Sequence, residues 1–419
     1  MASQPNLIAD TVLNTFRRLP KRFKPRNDGL RREWVPLAGI VLKRDKIDNE
    51  DSNQSQECVA LATGMKCHPH AKLPSFHGCV LHDWHAEILA IRAFNRFLVD
   101  ECADLAAGTL GKGSKWLQWR RDARQQQPFE LQPNVSIHMY CSEAPCGDAS
   151  MELTMAKQED ATPWESNDAT EVSNSDEELL GRGHFSRLGR VRRKPSRPDA
   201  PPTLSKSCSD KLALKQCTGL LSALTAQLVR PEDVYLRTLT LPASEYVPAA
   251  CERAFGKTGR MAPLVANAGV QDRWKASGLS FRPFLVDVTD REFEFSRRDL
   301  MAQDGEADEP VASNRSCLYT PRQNEVLING VLEGRKLHDP KGASLASRRS
   351  MWASAHEVAR MVGSPAASSL LERCQYKDLK ASETLEDRER VKSDARRLAL
   401  RGWVKNDGDE DWFLEAEPS

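Results

Sequence analysis

Val135-Ser136-Ile137-His138-Met139-Tyr140-Cys141 runs without a break into Ser142-Glu143-Ala144-Pro145-Cys146-Gly147-Asp148. Val135, Ile137 and Met139 recur at every second position, the period of a strand with one covered face. Pro145 suits the first turn of a helix, where its missing N–H is not needed and its φ is already set. The stretch therefore predicts a strand, a sharp corner and a helix starting near Pro145, with Cys146 in its first turn. The positive end of such a helix favours a thiolate over a thiol.

The same grammar extends in both directions. Residues 84–99 carry Ile88, Leu89, Phe94, Phe97 and Leu98 at helical spacing, with His85 at the start and Glu87 two residues on. Ser207-Cys208-Ser209-Asp210-Lys211 leads into a helical pattern over 211–228. Residues 34–42, 58–63, 234–241, 281–288 and 325–331 read as strands, with a polar turn region at 44–57. Residues 6–18, 344–362 and 382–401 read as helices. Strands interleaved with helices predict an α/β fold: a mixed sheet with helices on both faces, plus C-terminal helical elements.

The chain has 419 residues, room for one large domain, and its formal net charge is only +1. Any grip on a polyanion must then come from local clusters. Residues 17–32 form one, with Arg17, Arg18, Lys21, Arg22, Lys24, Arg26, Arg31 and Arg32 opposed only by Asp28. Residues 182–197 form another, opposed only by Asp199 just beyond them. Between the motifs, residues 157–180 hold eight acids and one lysine with no apolar period, the composition of an unstructured insertion. This divides the chain into an N-terminal helix and basic segment (1–29) and a main domain (30–415) that contains the acidic insertion. Eleven scattered cysteines, an odd number, together with a start that lacks a secretory pattern, point to a reducing compartment, cytoplasm or nucleus. No apolar run is long enough to span a membrane, so no membrane is expected as a partner. No obligate protein partner is evident either.

His85, Cys146 and Cys208 could give zinc three ligands and leave its fourth position open. Glu87 is too near His85 in the turn to point the same way, yet it can reach a water on that metal. Histidine, a neighbouring glutamate and two cysteines form the signature of zinc nucleobase deaminases, in which a hydroxide attacks carbon 6 of adenine or carbon 4 of cytosine. Spacing alone leaves a catalytic zinc, a structural zinc and no metal all open. Cys208 is not a Cys-x-x-Cys partner of Cys146, and Cys141 and Cys146 could be ordinary buried thiols.

The three motifs, His85-Ala86-Glu87-Ile88, Ser142 to Asp148 and Ser207 to Lys211, resemble the adenosine deaminase domain shared by RNA-editing and tRNA-specific deaminases. The resemblance spans about residues 30–410. It implies one catalytic zinc on His85, Cys146 and Cys208, with Glu87 as proton shuttle. It implies substrate contacts at Lys66, in Gly64-Met65-Lys66-Cys67, and at Lys194 and Asp199. Met65 departs from the small polar residue of the editing branch. It also implies a buried inositol hexakisphosphate held by Arg92, Lys211, Arg348, Tyr376, Lys380, Lys392 and Trp403. Ile91 and Leu214 stand where the editing branch has basic residues.

A chain that is nearly all deaminase domain resembles the tRNA branch of the family. Its implied reaction is adenosine to inosine 3′ to the anticodon (position 37) of alanine tRNA. The competing readings are a deaminase of duplex or messenger RNA, a free-nucleoside deaminase and a non-catalytic RNA-binding protein.

Overall fold

The computed structural model describes residues 3–28, 31–45, 55–109, 113–120, 127–156, 179–180, 187–194, 200–303, 309–363 and 367–414. Asp199 and nearly all of the acidic stretch 157–180 lie outside the described residues.

Eight strands form one mixed sheet. In chain order they are β1 (Leu37–Arg44), β2 (Ser55–Thr63), β3 (Val135–Cys141), β4 (Leu236–Pro242), β5 (Leu285–Thr289), β6 (Arg315–Tyr319), β7 (Asn324–Ile328) and β8 (Val331–Leu332). Across the sheet the order is β5-β4-β3-β1-β2-β6-β7-β8. The pairs β5–β4 and β4–β3 are parallel; the others are antiparallel. β1 sits near the middle and is buried over its first six residues, as expected of a strand covered on both faces.

One cover is α1 (Gln4–Arg18), which buries Ile8, Ala9, Val12, Leu13 and Phe16 against Val41, Cys58, Leu61 and Tyr140. The packing is close enough to require glycine beneath it: a Cβ on Gly39 would lie 2.5 Å from Val12 Cγ1. The other face carries α2 (Ala86–Ala106), α3 (Cys208–Thr218), α4 (Arg348–Val362), α5 (Tyr376–Lys380) and α6 (Glu386–Leu398). Alternation along β1 sorts its side chains, with Ala38, Ile40 and Leu42 in this larger core and Leu37 and Val41 under α1. No described helix is long and apolar enough to cross a membrane.

The expected helix at Pro145 starts later. Residues 142–147 are irregular, a short 3-10 turn covers Asp148–Ser150, and the helix proper is Met151–Ala156. Two contacts explain the delay. The Cys146 carbonyl accepts the Ser209 N–H at 3.0 Å, which ties it to the third motif rather than to a helix of its own. Gly147 then turns at φ +101, where an added Cβ would meet Ser207 Oγ at 2.3 Å. The helix expected over 211–228 ends at Thr218, because Gly219 takes φ +66. β6 and the helix Pro248–Phe255 are additions that periodicity did not reveal.

Candidate active site

Three chain ends meet beyond the C-terminal end of β3. His85 is the N-cap of α2, and its backbone N–H is held by Asp83 Oδ1 at 3.1 Å. Cys208 is the first residue of α3, which Ser207 caps by accepting the Asp210 N–H at 3.1 Å. Cys146 follows β3, and Ser209 stitches it to α3 by donating its hydroxyl to the Pro145 carbonyl at 2.9 Å. One donor atom from each of His85, Cys146 and Cys208 lies within 4.8 Å of the others. Cys146 Sγ is 3.8 Å from His85 Nδ1, and the Cys208 N–H points at Cys146 Sγ from 3.3 Å.

The electrostatics favour a thiolate. The Cys146 thiol is held well below its usual range, first by the Cys208 thiol donating to it, then by Lys194 and His85. Glu87 lies beside the trio but outside it, and is buried; burial, then the Cys146 charge, raises its pKa. His85, Cys146 and Glu87, with Lys66 and Met65, line a cleft of about 830 Å³, and Cys208 lies fully buried beside it.

Behind the cleft wall is an ion cluster. Lys194 donates to Asp83 Oδ2 at 2.7 Å and to Cys208 Sγ at 3.4 Å. The Ser205 hydroxyl donates to the same carboxylate oxygen at 2.8 Å, and Lys211 also binds it. Burial alone would raise the Asp83 carboxyl, but Lys194 and Lys211 hold it well below its ordinary value. Lys194 thus lines the cleft with its ammonium taken up by Asp83 and the Cys208 thiol. Lys66 also borders the cleft and bonds Asn314.

Each cysteine has an aspartate two residues on, and each aspartate is fully buried. Asp148 accepts Arg253 Nε at 3.1 Å and the Gly189 N–H at 2.7 Å. Asp210 pairs with Arg260 and accepts the Arg192 N–H at 2.9 Å. These contacts fix the loop that carries Lys194 and turn Arg192 inward, so that part of the basic stretch 182–197 serves the interior. Sequence reading missed Asp83, Asp148 and Asp210; the available signal was that each lies two residues from a donor, Asp83 before His85, Asp148 after Cys146 and Asp210 after Cys208.

On the far side of Asp83 lies a second cavity of about 340 Å³, between α2, α3, α4, α5 and α6. Arg92, Lys211, Arg348, Tyr376, Lys380, Lys392 and Trp403 all line it, and so do Lys215 and Arg388, which the sequence did not single out. Seven of its lining side chains are cationic, whereas Asp83 is the one carboxylate in the lining. Burial, then Arg388, pushes Lys392 down to about 7. Lys215 is driven well below its usual range by burial and the same neighbour, and Arg388 Nε has no partner among the described residues. Lys211, Arg348, Lys380 and Lys392 have carboxylate partners in Asp83, Asp409, Glu410 and Glu389, whereas Arg92, Lys215 and Arg388 add positive charge without an ion pair among the described residues.

A His/Cys/Cys donor trio beside a buried glutamate, on a mixed α/β sheet, is the arrangement of the nucleobase deaminase class. Residues 60–407 match the family model described as adenosine-deaminase (editase) domain. The chain is 37% identical over 417 residues to tRNA-specific adenosine deaminase 1 of Schizosaccharomyces pombe, covering 97% of this chain and 96% of that protein. It is 35% identical over 244 residues to the protein of that name from Saccharomyces cerevisiae, covering 57% and 58%. It is 30% identical over 215 residues to double-stranded RNA-specific adenosine deaminase of Mus musculus, covering 49% of this chain and 17% of that protein. The chain belongs to the adenosine-deaminase (editase) domain family, and it is a deaminase enzyme.

Proposed function

We propose that this protein hydrolyses adenosine to inosine in tRNA, taking up one water and releasing one ammonia. The observation that carries the reading is the meeting of three metal-donor atoms within 4.8 Å beside a buried carboxyl that is not one of them. One imidazole and two thiols are a donor set suited to zinc. Zinc with an open position, when bound, acidifies water at that position. Glu87 accepts a proton and hands it to the departing amine; its raised pKa keeps the protonated form within reach between the two transfers. Lys194 steadies the Cys208 thiolate, and Asp83 steadies Lys194.

The relative matched over nearly its full length bears a tRNA-specific name, which supports tRNA as the substrate. We assign the target to the adenosine 3′ to the anticodon of alanine tRNA. A loop base is already unpaired, so presenting it to the cleft requires little disruption. The second cavity suits inositol hexakisphosphate, whose phosphates would neutralise Lys215, Lys392 and their neighbours.

The test is direct. Purified protein is incubated with folded tRNAs and with duplex RNA, and inosine is mapped by sequencing. Inosine beside the alanine anticodon is expected. Inosine in duplex RNA with none in any tRNA would overturn the tRNA reading.

A further inference from the structure

Trp34 is a half-buried residue that lines the catalytic cleft, on the same wall as Pro36, Met65 and Lys66. Its backbone is fixed on both sides. Glu33–Trp34 pairs in parallel with Val311–Ala312, and the Trp34 carbonyl accepts the Ser313 N–H at 2.9 Å. The next N–H, of Val35, bonds the Phe295 carbonyl at 3.0 Å, and the Val35 side chain is buried under α1.

The indole itself is unengaged. Among the described residues it joins no hydrophobic cluster, meets no other ring and gives its N–H to no protein acceptor. The core tryptophans behave differently: the indole N–H groups of Trp274, Trp352 and Trp412 go to Asp394, the Leu370 carbonyl and the Asp409 carbonyl. A large aromatic face that is held at a cleft wall and left unpacked suits a planar ligand group.

The surroundings define that ligand further. Lys66 lines the same cleft and bonds Asn314, two residues along from Ala312, the partner of Trp34, so one cleft presents both an ammonium and the indole. A cation next to an aromatic face is what one unpaired nucleotide needs, for its phosphate and its base. Arg31, exposed three residues before Trp34, adds positive charge on the approach to it.

We propose that Trp34 is a stacking platform for the nucleobase next to the target adenosine, an assignment that rests on the RNA-deaminase reading above. Trp34 thereby holds the substrate strand in register with Glu87 while taking no part in proton transfer.

The experiment compares wild type, Trp34→Ala and Trp34→Phe, as full-length zinc-loaded proteins. The substrates are tRNA and two versions of it that carry an abasic nucleotide on one side or the other of the target adenosine. On intact tRNA, Trp34→Ala is expected to lower kcat/KM about 5- to 100-fold, the range for losing one base–aromatic stack, and Trp34→Phe to keep most of it. One abasic substrate should depress wild type comparably and leave Trp34→Ala little changed, because the same contact is already gone. If Trp34→Ala does not fold, Trp34→Leu against Trp34→Phe makes the comparison, since leucine fills space without a π face. Equal activity of the ring-less variant and wild type overturns the proposal. So does a defect that persists in full on both abasic substrates. Wild-type protein that ignores tRNA but deaminates another RNA counts against the tRNA reading alone, and the same comparison on that RNA still decides Trp34.

Discussion

Asp83 receives the Lys194 ammonium at 2.7 Å, in a pair whose side chains are each only 4% exposed, and the same oxygen binds Lys211. Lys194 lines the catalytic cleft and reaches on to Cys208 Sγ, whereas Lys211 lines the cationic cavity. One carboxylate therefore joins the two chambers. Asp83→Ala would leave two cations facing each other in a buried layer. Breaking a buried pair costs about 3–5 kcal/mol, so a fall of that order is expected in urea unfolding. Asp83→Asn should lose less, because an amide oxygen still accepts from Lys194. Equal stability of wild type and Asp83→Ala would remove the link between the chambers.

Glu87 and the donor trio should separate cleanly by metal analysis. Glu87→Ala is expected to abolish deamination while bound zinc stays near one per chain, since Glu87 is not a donor. Cys146→Ala and Cys208→Ala should lose both zinc and activity. Zinc loss in Glu87→Ala equal to that in Cys146→Ala would refute the division of roles.

The cationic cavity predicts a proton signature. Without an anion, Lys392 titrates at about 7, so at pH 8 it is mostly neutral. A bound polyphosphate favours its charged form, so loading at pH 8 takes up protons at Lys392; well below pH 7 the group is already charged and its uptake disappears. The measurement is calorimetric titration of stripped protein with inositol hexakisphosphate, in buffers of different ionisation enthalpy. Lys392→Met should take up less, by up to about one proton, as linkage to a single site requires. Identical uptake in the two proteins would place the anion elsewhere.

Much of this architecture is legible in the amino-acid sequence. Val135, Ile137 and Met139 mark β3, and the apolar run after His85 marks α2, because one-sided burial prints a period. Motif order is enough to choose the three donor residues that the fold gathers, and likeness to the family is enough to choose seven residues that share one cavity. The rest fails for identifiable reasons. Asp83 sits in His82-Asp83-Trp84, an irregular segment without period, and its importance arises only when Lys194 and Lys211 arrive from more than 100 residues away. Lys215 and Arg388 look like solvated charges on helices, and only the packing of α3 against α6 turns them inward. The late start of the helix after Cys146 reflects a tertiary hydrogen bond from Ser209, which overrides the local preference of Pro145.

The arginines that clamp the two buried aspartates should matter unequally. Arg260 and Asp210 are both almost fully enclosed, whereas Arg253 is one-fifth exposed. Arg260→Ala strands Asp210 without its ion pair, two residues from Cys208, and should cost about 3–5 kcal/mol. Zinc should also leave this variant faster under chelator competition. Arg253→Ala should cost less, because solvent can reach its side of Asp148. A larger loss for Arg253→Ala than for Arg260→Ala would reverse the assignment.

The basic segment at 17–32 is one candidate for gripping RNA phosphates. Lys21, Arg22, Arg26 and Arg31 are exposed, whereas Arg17 is engaged by Glu294 and the Arg32 guanidinium by the Leu300 carbonyl. The segment leads directly to Trp34 at the cleft wall. Changing those four exposed residues to glutamine should weaken tRNA binding and flatten its salt dependence. Each lost phosphate contact should remove about 0.7–0.9 from the slope of log affinity against log salt. Zinc content should not change, since none of the four is a donor. The two turned-in residues of the other basic stretch, Arg192 and Lys194, should behave differently, and their loss should lower stability more than it lowers the salt slope. A salt titration in which the four-glutamine variant and wild type give the same slope would exclude this segment from the RNA-binding surface.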